Sequence, residues 1–188
     1  MSTKRYRRRP AMLTVLLVGG MIGYEAASYR YAEQVALTSA NAIIQVRFSP
    51  RGQCTQFIQE AIAKAQKTVL VQAYTFTSQP IAEALMQAHR RGVNVRILID
   101  RSQLTGKYTQ INHLVTKGIW VAVDVVPGIA HNKVIIIDDC YVLTGSFNWT
   151  KAAETSNAEN VLLINDTKTN NIYTDSWHRR AKKAREIN

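Results

Sequence analysis

The sequence predicts an α/β fold, with a mixed, largely parallel sheet and helices on both faces. Three observations carry that prediction. Apolar β-branched runs alternate with amphipathic stretches of about ten to fifteen residues, the pattern of strand–helix–strand units. Turn residues punctuate most boundaries. After Ile119 several strand-like runs follow one another with no helix between them, so some neighbours must be antiparallel.

Each element follows from its residues. "AIIQVRF" (42–48) reads as a strand closed by the turn "SPRG". "QCTQFIQEAIAKAQK" (53–67) puts Cys54, Phe57, Ile58, Ala61, Ile62 and Ala65 on one helical face. "TVLVQAYTF" (68–76) is a β-branched run and therefore a strand. "SQPIAEALMQAHRRG" is a helix, with Ser78 to cap it, Pro80 in its first turn and Gly92 to end it. "VNVRILID" (93–100) is a strand, "YTQINHLVTKG" (108–118) a helix and "IWVAVDVV" (119–126) a strand. "PGIA" turns the chain into strands near 131–138 and 141–145, and "ENVLLIN" (159–165) adds another. "TKTNNIYTDSWHRRAKKAREIN" closes the chain as a helix, with Ile172 and Trp177 for packing and a basic end.

A length of 188 residues suits one domain plus an appendage. The appendage is the start. "STKRYRRRP" is a basic run and "AMLTVLLVGGMIG" (11–23) an uncharged apolar one; Ala26 and Ser28 then stand at the spacing of a small-residue cleavage site. Residues 1–28 are therefore expected to be a signal peptide or an uncleaved anchor, 29–41 a linker, and 42–188 the functional domain. The protein is expected outside the cytoplasm, periplasmic or secreted, or held at the inner membrane if the segment stays attached. Cys54 and Cys140 have no CxxC spacing; a disulfide between them is allowed, and so are two separate thiols.

The formal net charge is +11, and from Tyr29 onward 19 basic residues still face 12 acidic ones. A folded domain with that excess suits a polyanionic partner, either nucleic acid or anionic lipid.

The chemistry is concentrated in "HNKVIIIDDCYVLTGSFNWT", residues 131–150. On a strand, residues two apart project to one face. His131 and Lys133 therefore point together, with Ile135 and Ile137 continuing the same face inward. Asp138 has the opposite parity and reads as a support or turn residue. Ser146 and Asn148 repeat the two-residue spacing, and Glu159 with Asn160 opens the next strand. If these segments are neighbours, a ring, a cation, a hydroxyl, an amide and a carboxylate meet at one sheet edge. A neutral imidazole is a nucleophile toward phosphorus. A lysine and an amide can hold the non-bridging oxygens and stabilise transition-state charge. A carboxylate on the second ring nitrogen would fix the tautomer. These are parts of a phosphodiesterase that needs no metal or other cofactor, and no acidic or histidine cluster stands at metal-ligand spacing. The missing part is a second histidine to protonate the leaving oxygen. His89, His113 and His178 have no comparable partners.

"HNKVIIID" fits H-x-K-x4-D, "GSFNWT" follows it, and "FSPRGQC", "AYTFTSQPIAEAL", "RGVNVRILID" and "TGSFNWTKAAETSNAEN" extend the match from about Phe48 onward. The chain resembles the phospholipase D superfamily, and within it the bacterial endonucleases with a single such motif, the motif region here being about 125–152. The resemblance implies a phospholipase D-like fold and a homodimer in which His131 of each copy shares one site. It implies that His131 forms a phosphohistidine, that Lys133 and Asn148 grip the phosphate, that Ser146 supports the pocket, and that Glu159 orients His131. The substrate it implies is DNA, with RNA as an extension. Arg101, Lys107, Lys151, Arg179 and Arg180, with Lys182, Lys183 and Arg185, are the candidate backbone contacts. Two other readings remain at this point: a membrane-associated lipid hydrolase acting on phosphatidylcholine or cardiolipin, and a nucleic-acid-binding or conjugation-associated protein that needs no turnover.

Overall fold

The structure, a computed structural model, describes residues 42–187. The expected signal segment and linker lie outside the described residues. The strands are β1 (Ile43–Ser49), β2 (Thr68–Ala73), β3 (Asn94–Ile99), β4 (Trp120–Val123), β5 (Lys133–Ile137), β6 (Tyr141–Gly145), β7 (Glu159–Asn165) and β8 (Arg185–Glu186). The helices are α1 (Cys54–Ala63), α2 (Gln79–Arg90), α3 (Ile111–Thr116), α4 (Lys151–Thr155) and α5 (Thr167–Ala181). One sheet holds all eight strands in the order β1-β7-β6-β5-β2-β3-β4-β8.

The α/β class and the mixed sheet are as the sequence predicts, but the share of parallel pairing is not. Only β2–β3 and β3–β4 are parallel; the other five ladders are antiparallel. A parallel neighbour needs a crossover, and among the described residues α2 and α3 supply the two that return the chain alongside the preceding strand. Short connections fold β5, β6 and β7 back and forth instead. The helix α1 carries the chain away from β1, whose partner is the distant β7.

Both faces of the sheet are covered. Val71, Ile97, Val121, Ile135 and Ile137 pack toward α1, α2 and α3, with Phe57, Ile58, Ile62, Ile81 and Leu85 opposite them. Leu70, Leu98, Ala122, Val134, Ile136 and Val142 pack toward α5, where Trp177 is fully buried. Its indole donates to Val71 O at 3.0 Å. Burying roughly 150–250 Å² of ring at about 25 cal/mol per Å² is worth about 4–6 kcal/mol before entropy. Tyr173, Ala181 and Ala184 pack beside it, while Ile172 stays half-exposed.

The helix ends show which signals carried. Pro80 sits in the first turn of α2, but Ser78 at its cap makes no side-chain capping bond. Gly92 ends that helix at φ +90°, a conformation that favours glycine. Asp166 caps α5 by accepting from Thr169 N at 2.9 Å. Helix α1 has no local cap; Glu154 from α4 accepts from Thr55 N instead, at 2.6 Å. Cys54 and Cys140 are both free thiols.

Candidate active site

His131 precedes the first residue of β5, at the end where β2 and β3 finish. Lys133 lies opposite Ala73 and is only 6% exposed. Its Nζ donates to His131 O at 2.8 Å and lies 3.0 and 3.1 Å from the ring nitrogens Nδ1 and Nε2. In a neutral imidazole only one of the two nitrogens can accept from the ammonium, and its lone pair becomes available to a nucleophilic role once Lys133 turns to a ligand. Burial pushes the Lys133 ammonium below the ordinary lysine range, and the negative charge of Glu159 opposes that shift. Tyr74, just past β2, joins the two. Its ring centroid lies 4.3 Å from that of His131 and 4.8 Å from Lys133 Nζ. Nothing in the one-dimensional pattern singled out Tyr74, since its partner is far away in sequence.

The Gly-Ser-Phe-Asn turn leaves β6 against β7. At Gly145 a Cβ would collide with Asn160 O, so only glycine permits the close approach. Ser146 N and Phe147 N both donate to that carbonyl, at 3.1 and 3.2 Å, and Ser146 Oγ accepts from Asn160 N at 3.1 Å. Phe147 and Trp149 are buried on either side of Asn148. The Trp149 indole donates to Gln72 O at 3.2 Å, and Trp149 O accepts from Thr77 N and Ser78 N. Two buried anchors thus set Asn148 firmly, yet its Oδ1 has no hydrogen-bond partner. A buried orphan of this kind costs about 1–3 kcal/mol and calls for an explanation. A group meant for a ligand is one.

Glu159 is engaged by its own loop. Its Oε1 accepts from Asn157 Nδ2 at 3.0 Å, and it makes no hydrogen bond to His131 within this chain. It acts on the site through its charge on Lys133. β1 holds this segment in place: Ser49 pairs with Glu159, and Ser49 Oγ donates to Asn157 O at 3.1 Å.

Asp138 sits at the far end of β5. At φ +50° it turns its carboxylate back on the start of β2, accepting from Gln66 N, Lys67 N and Thr68 N at 3.0, 2.8 and 2.9 Å. Burial raises its proton affinity, but those three bonds and the nearby Lys67 charge outweigh it and leave the carboxyl below its usual range.

Asp100 was not foreseen. It is 2% exposed and accepts from Ser102 N at 2.9 Å and from Ala130 N at 2.7 Å. It thereby pins the residue before His131. The signal was an aspartate ending a buried strand.

The candidate phosphate contacts divide. Arg101, Lys107, Lys151 and Arg179 are exposed. Arg180 is already engaged: its Nε donates to the buried Asp124 carboxylate at 2.5 Å. That pair places the basic end of α5 beside the end of β4, on the His131 side of the sheet. The start of α5 lies at the opposite side, where Asp166 N donates to Cys140 O. Among the described residues no three His, Cys, Asp or Glu side chains gather as they would to hold a metal ion. None of the described helices is long and apolar enough to cross a membrane.

Residues 58–180 match the family model described as "Cardiolipin synthase, PLD-like domain". A protein of Rickettsia conorii named phospholipase D is 40% identical over 172 residues, covering 92% of this chain and 85% of that one. The Rickettsia prowazekii protein of the same name is 49% identical over 133 residues, covering 71% of this chain but only 65% of its own length. Among solved structures, the phospholipase D family member Nuc from Salmonella typhimurium superposes with a TM-score of 0.74 at 38% identity, over 78% of this chain and 98% of that one.

Proposed function

The chain belongs to the single-motif branch of the phospholipase D superfamily and is a phosphodiesterase of that kind; from that premise we propose that it is an exported, metal-independent endonuclease. In this reading it cleaves DNA, and RNA with it, as a homodimer through a phosphohistidine. The observation that carries the chemistry is the contact between buried Lys133 and the His131 ring. His131 attacks phosphorus with a ring-nitrogen lone pair, while Lys133 and Asn148 hold the non-bridging oxygens. The departing 5′ oxygen takes a proton from His131 of the partner subunit. That second ring then removes a proton from water, which hydrolyses the phosphohistidine and restores the first.

A second copy is needed because the other histidines of this chain are placed elsewhere. His89 faces Gly118, His113 lies in α3, and the His178 ring stands edge-on to Trp177. The surface supports a two-fold partner. On the edge strand β1, Ile44, Val46 and Phe48 are exposed, Phe48 at 63%. Phe48 pairs with Asn160, the residue bonded to Ser146, so this apolar strip runs up to the site. An isologous interface along it would bring two half-sites together. The same closure gives Glu159 a ring to orient across the interface.

The positive excess suits a polyanion, and the likeness to the single-motif endonucleases makes nucleic acid the first choice. A lipid phosphodiesterase is the second reading. It is favoured by the names of the Rickettsia relatives and by exposed Leu104, Tyr108, Val125 and Ile129. The test is one assay with three substrates in excess EDTA: plasmid DNA, RNA, and phosphatidylcholine or cardiolipin vesicles. Wild type is expected to nick DNA and His131→Ala to be inert. Vesicle hydrolysis with DNA left intact would hand the case to the lipid reading. Specific activity is expected to fall on dilution below the dimer constant. Export rests on the basic-then-apolar pattern of the first 28 residues and is checked by fractionation.

A further inference from the structure

Beyond the His131 rim, β3 and β4 end in a cleft of about 210 Å³. Arg101 and Arg185 flank it, Val125 and Val126 line it, and Asp100 and Asp124 close its back. The two carboxylates do not set its character, because both are buried and bonded inward. Asp124 is paired with Arg180, and Asp100 accepts from Ser102 N and Ala130 N. Arg101 and Arg185 are exposed and form no ion pair with any described carboxylate. The cleft therefore brings two arginines and three valines to one lining. A guanidinium suits a phosphate by charge and by its paired donors. Valine side chains suit a sugar or the face of a base. The Asp100–Ala130 bond ties the back of the cleft to the residue before His131, so cleft and nucleophile share one rim of the sheet.

We propose that this cleft is the subsite for the nucleotide next to the scissile bond, with Arg101 and Arg185 holding its phosphate and Val125 and Val126 contacting its sugar or base. The proposal rests on the nuclease reading and adds to it a path for the strand. It also separates the roles of the tail cations. Arg180 supports the cleft from behind, while Arg185 faces the substrate.

The experiment measures binding of a fluorescein-labelled single-stranded oligodeoxynucleotide by anisotropy, on the full chain carrying His131→Ala so that nothing is cleaved. Arg101→Ala with Arg185→Ala is compared with the charge-preserving Arg101→Lys with Arg185→Lys. The alanine pair is expected to weaken binding about tenfold. Its plot of log affinity against log salt is expected to be shallower by about 0.7 for each phosphate that is no longer neutralised. The lysine pair is expected to keep the wild-type salt slope. In the His131 background, efficiency on the oligonucleotide is expected to fall further than efficiency on bis(p-nitrophenyl) phosphate, a diester with no neighbouring nucleotide. An unchanged salt slope, or equal losses on both substrates, would overturn the subsite. A wild-type protein that hydrolyses the small diester but neither binds nor cuts the oligonucleotide would overturn the nuclease reading, and the subsite with it.

Discussion

The two ends of β5 carry letters of one motif and are built in opposite ways. At the Asp138 end both carboxylate oxygens are occupied by backbone N–H groups from the start of β2. Burial is compensated there, and the charge is held. At the His131 end, a buried lysine points at a ring and a carbonyl, its ammonium destabilised by desolvation. The neighbouring Asn148 Oδ1 has no partner at all. The first end uses its hydrogen bonds to join two strands. The second leaves an acceptor unused, open to a donor, while the Lys133 ammonium is the group that could donate to an anion. Sequence proximity within a motif therefore does not imply a shared task.

The sharpest way to break this contrast is to exchange the consequences. His131→Ala is expected to lower turnover by about 10⁴-fold or more, since in the proposed dimer it removes both nucleophile and acid. Its thermal midpoint should stay near wild type, because the ring is exposed; a large drop in melting temperature would refute the division of labour. Lys133→Ala comes next, with about 10²–10³-fold lost from kcat. Asp138→Ala should do the reverse. It is expected to lose about 1–3 kcal/mol of stability by orphaning backbone donors, while activity per folded molecule changes little. Calorimetry with active-site titration separates the two quantities.

pH sharpens the same contrast. The Asp138 carboxyl lies below its ordinary value of 3.8, so its contribution is present above that pH and is lost as pH falls through the folded value. Wild type should lose stability in acid through this group, and Asp138→Ala should show a flatter acid limb. For Lys133 too the unfolded chain holds the proton more tightly, but here the charged form is the one the fold penalises. The cost of keeping the ammonium buried is present at low and neutral pH and is relieved as pH rises toward 10.5. Activity that needs the ammonium should therefore fade below the usual lysine range. The smallest expected effect is that of Glu159→Gln, which removes the charge that supports the ammonium and should move this alkaline limb further down. A pH–rate profile measures it, and an upward movement would contradict the electrostatic role.

The strands and the His131–Lys133 pair were legible because both depend on period. Alternation along a strand fixes which side chains share a face, whatever the strand pairs with. Pairing direction was not legible, since β1 meets β7 through contacts that no local window contains. β8 has two residues and no pattern of its own. Helix α4 is short, but Thr150 capping Ala153 N is a local signal that could have been read. For Glu159 the resemblance implied a contact to His131, and within one chain its carboxylate accepts from Asn157 instead. Arg180 looked like any other cation of the tail, because nothing in the sequence announces that Asp124 is buried beside it.

The pairing of β1 with β7 also sets an order of events during synthesis. Ser49 emerges from the ribosome early, yet it waits for Asn157, 108 positions later, before its hydroxyl has an acceptor. Closures of that span are slow compared with hairpins such as β5–β6. The nascent chain can thus bring His131 and Lys133 together on the β5–β6 hairpin before the edge strand that holds the Glu159 segment has docked.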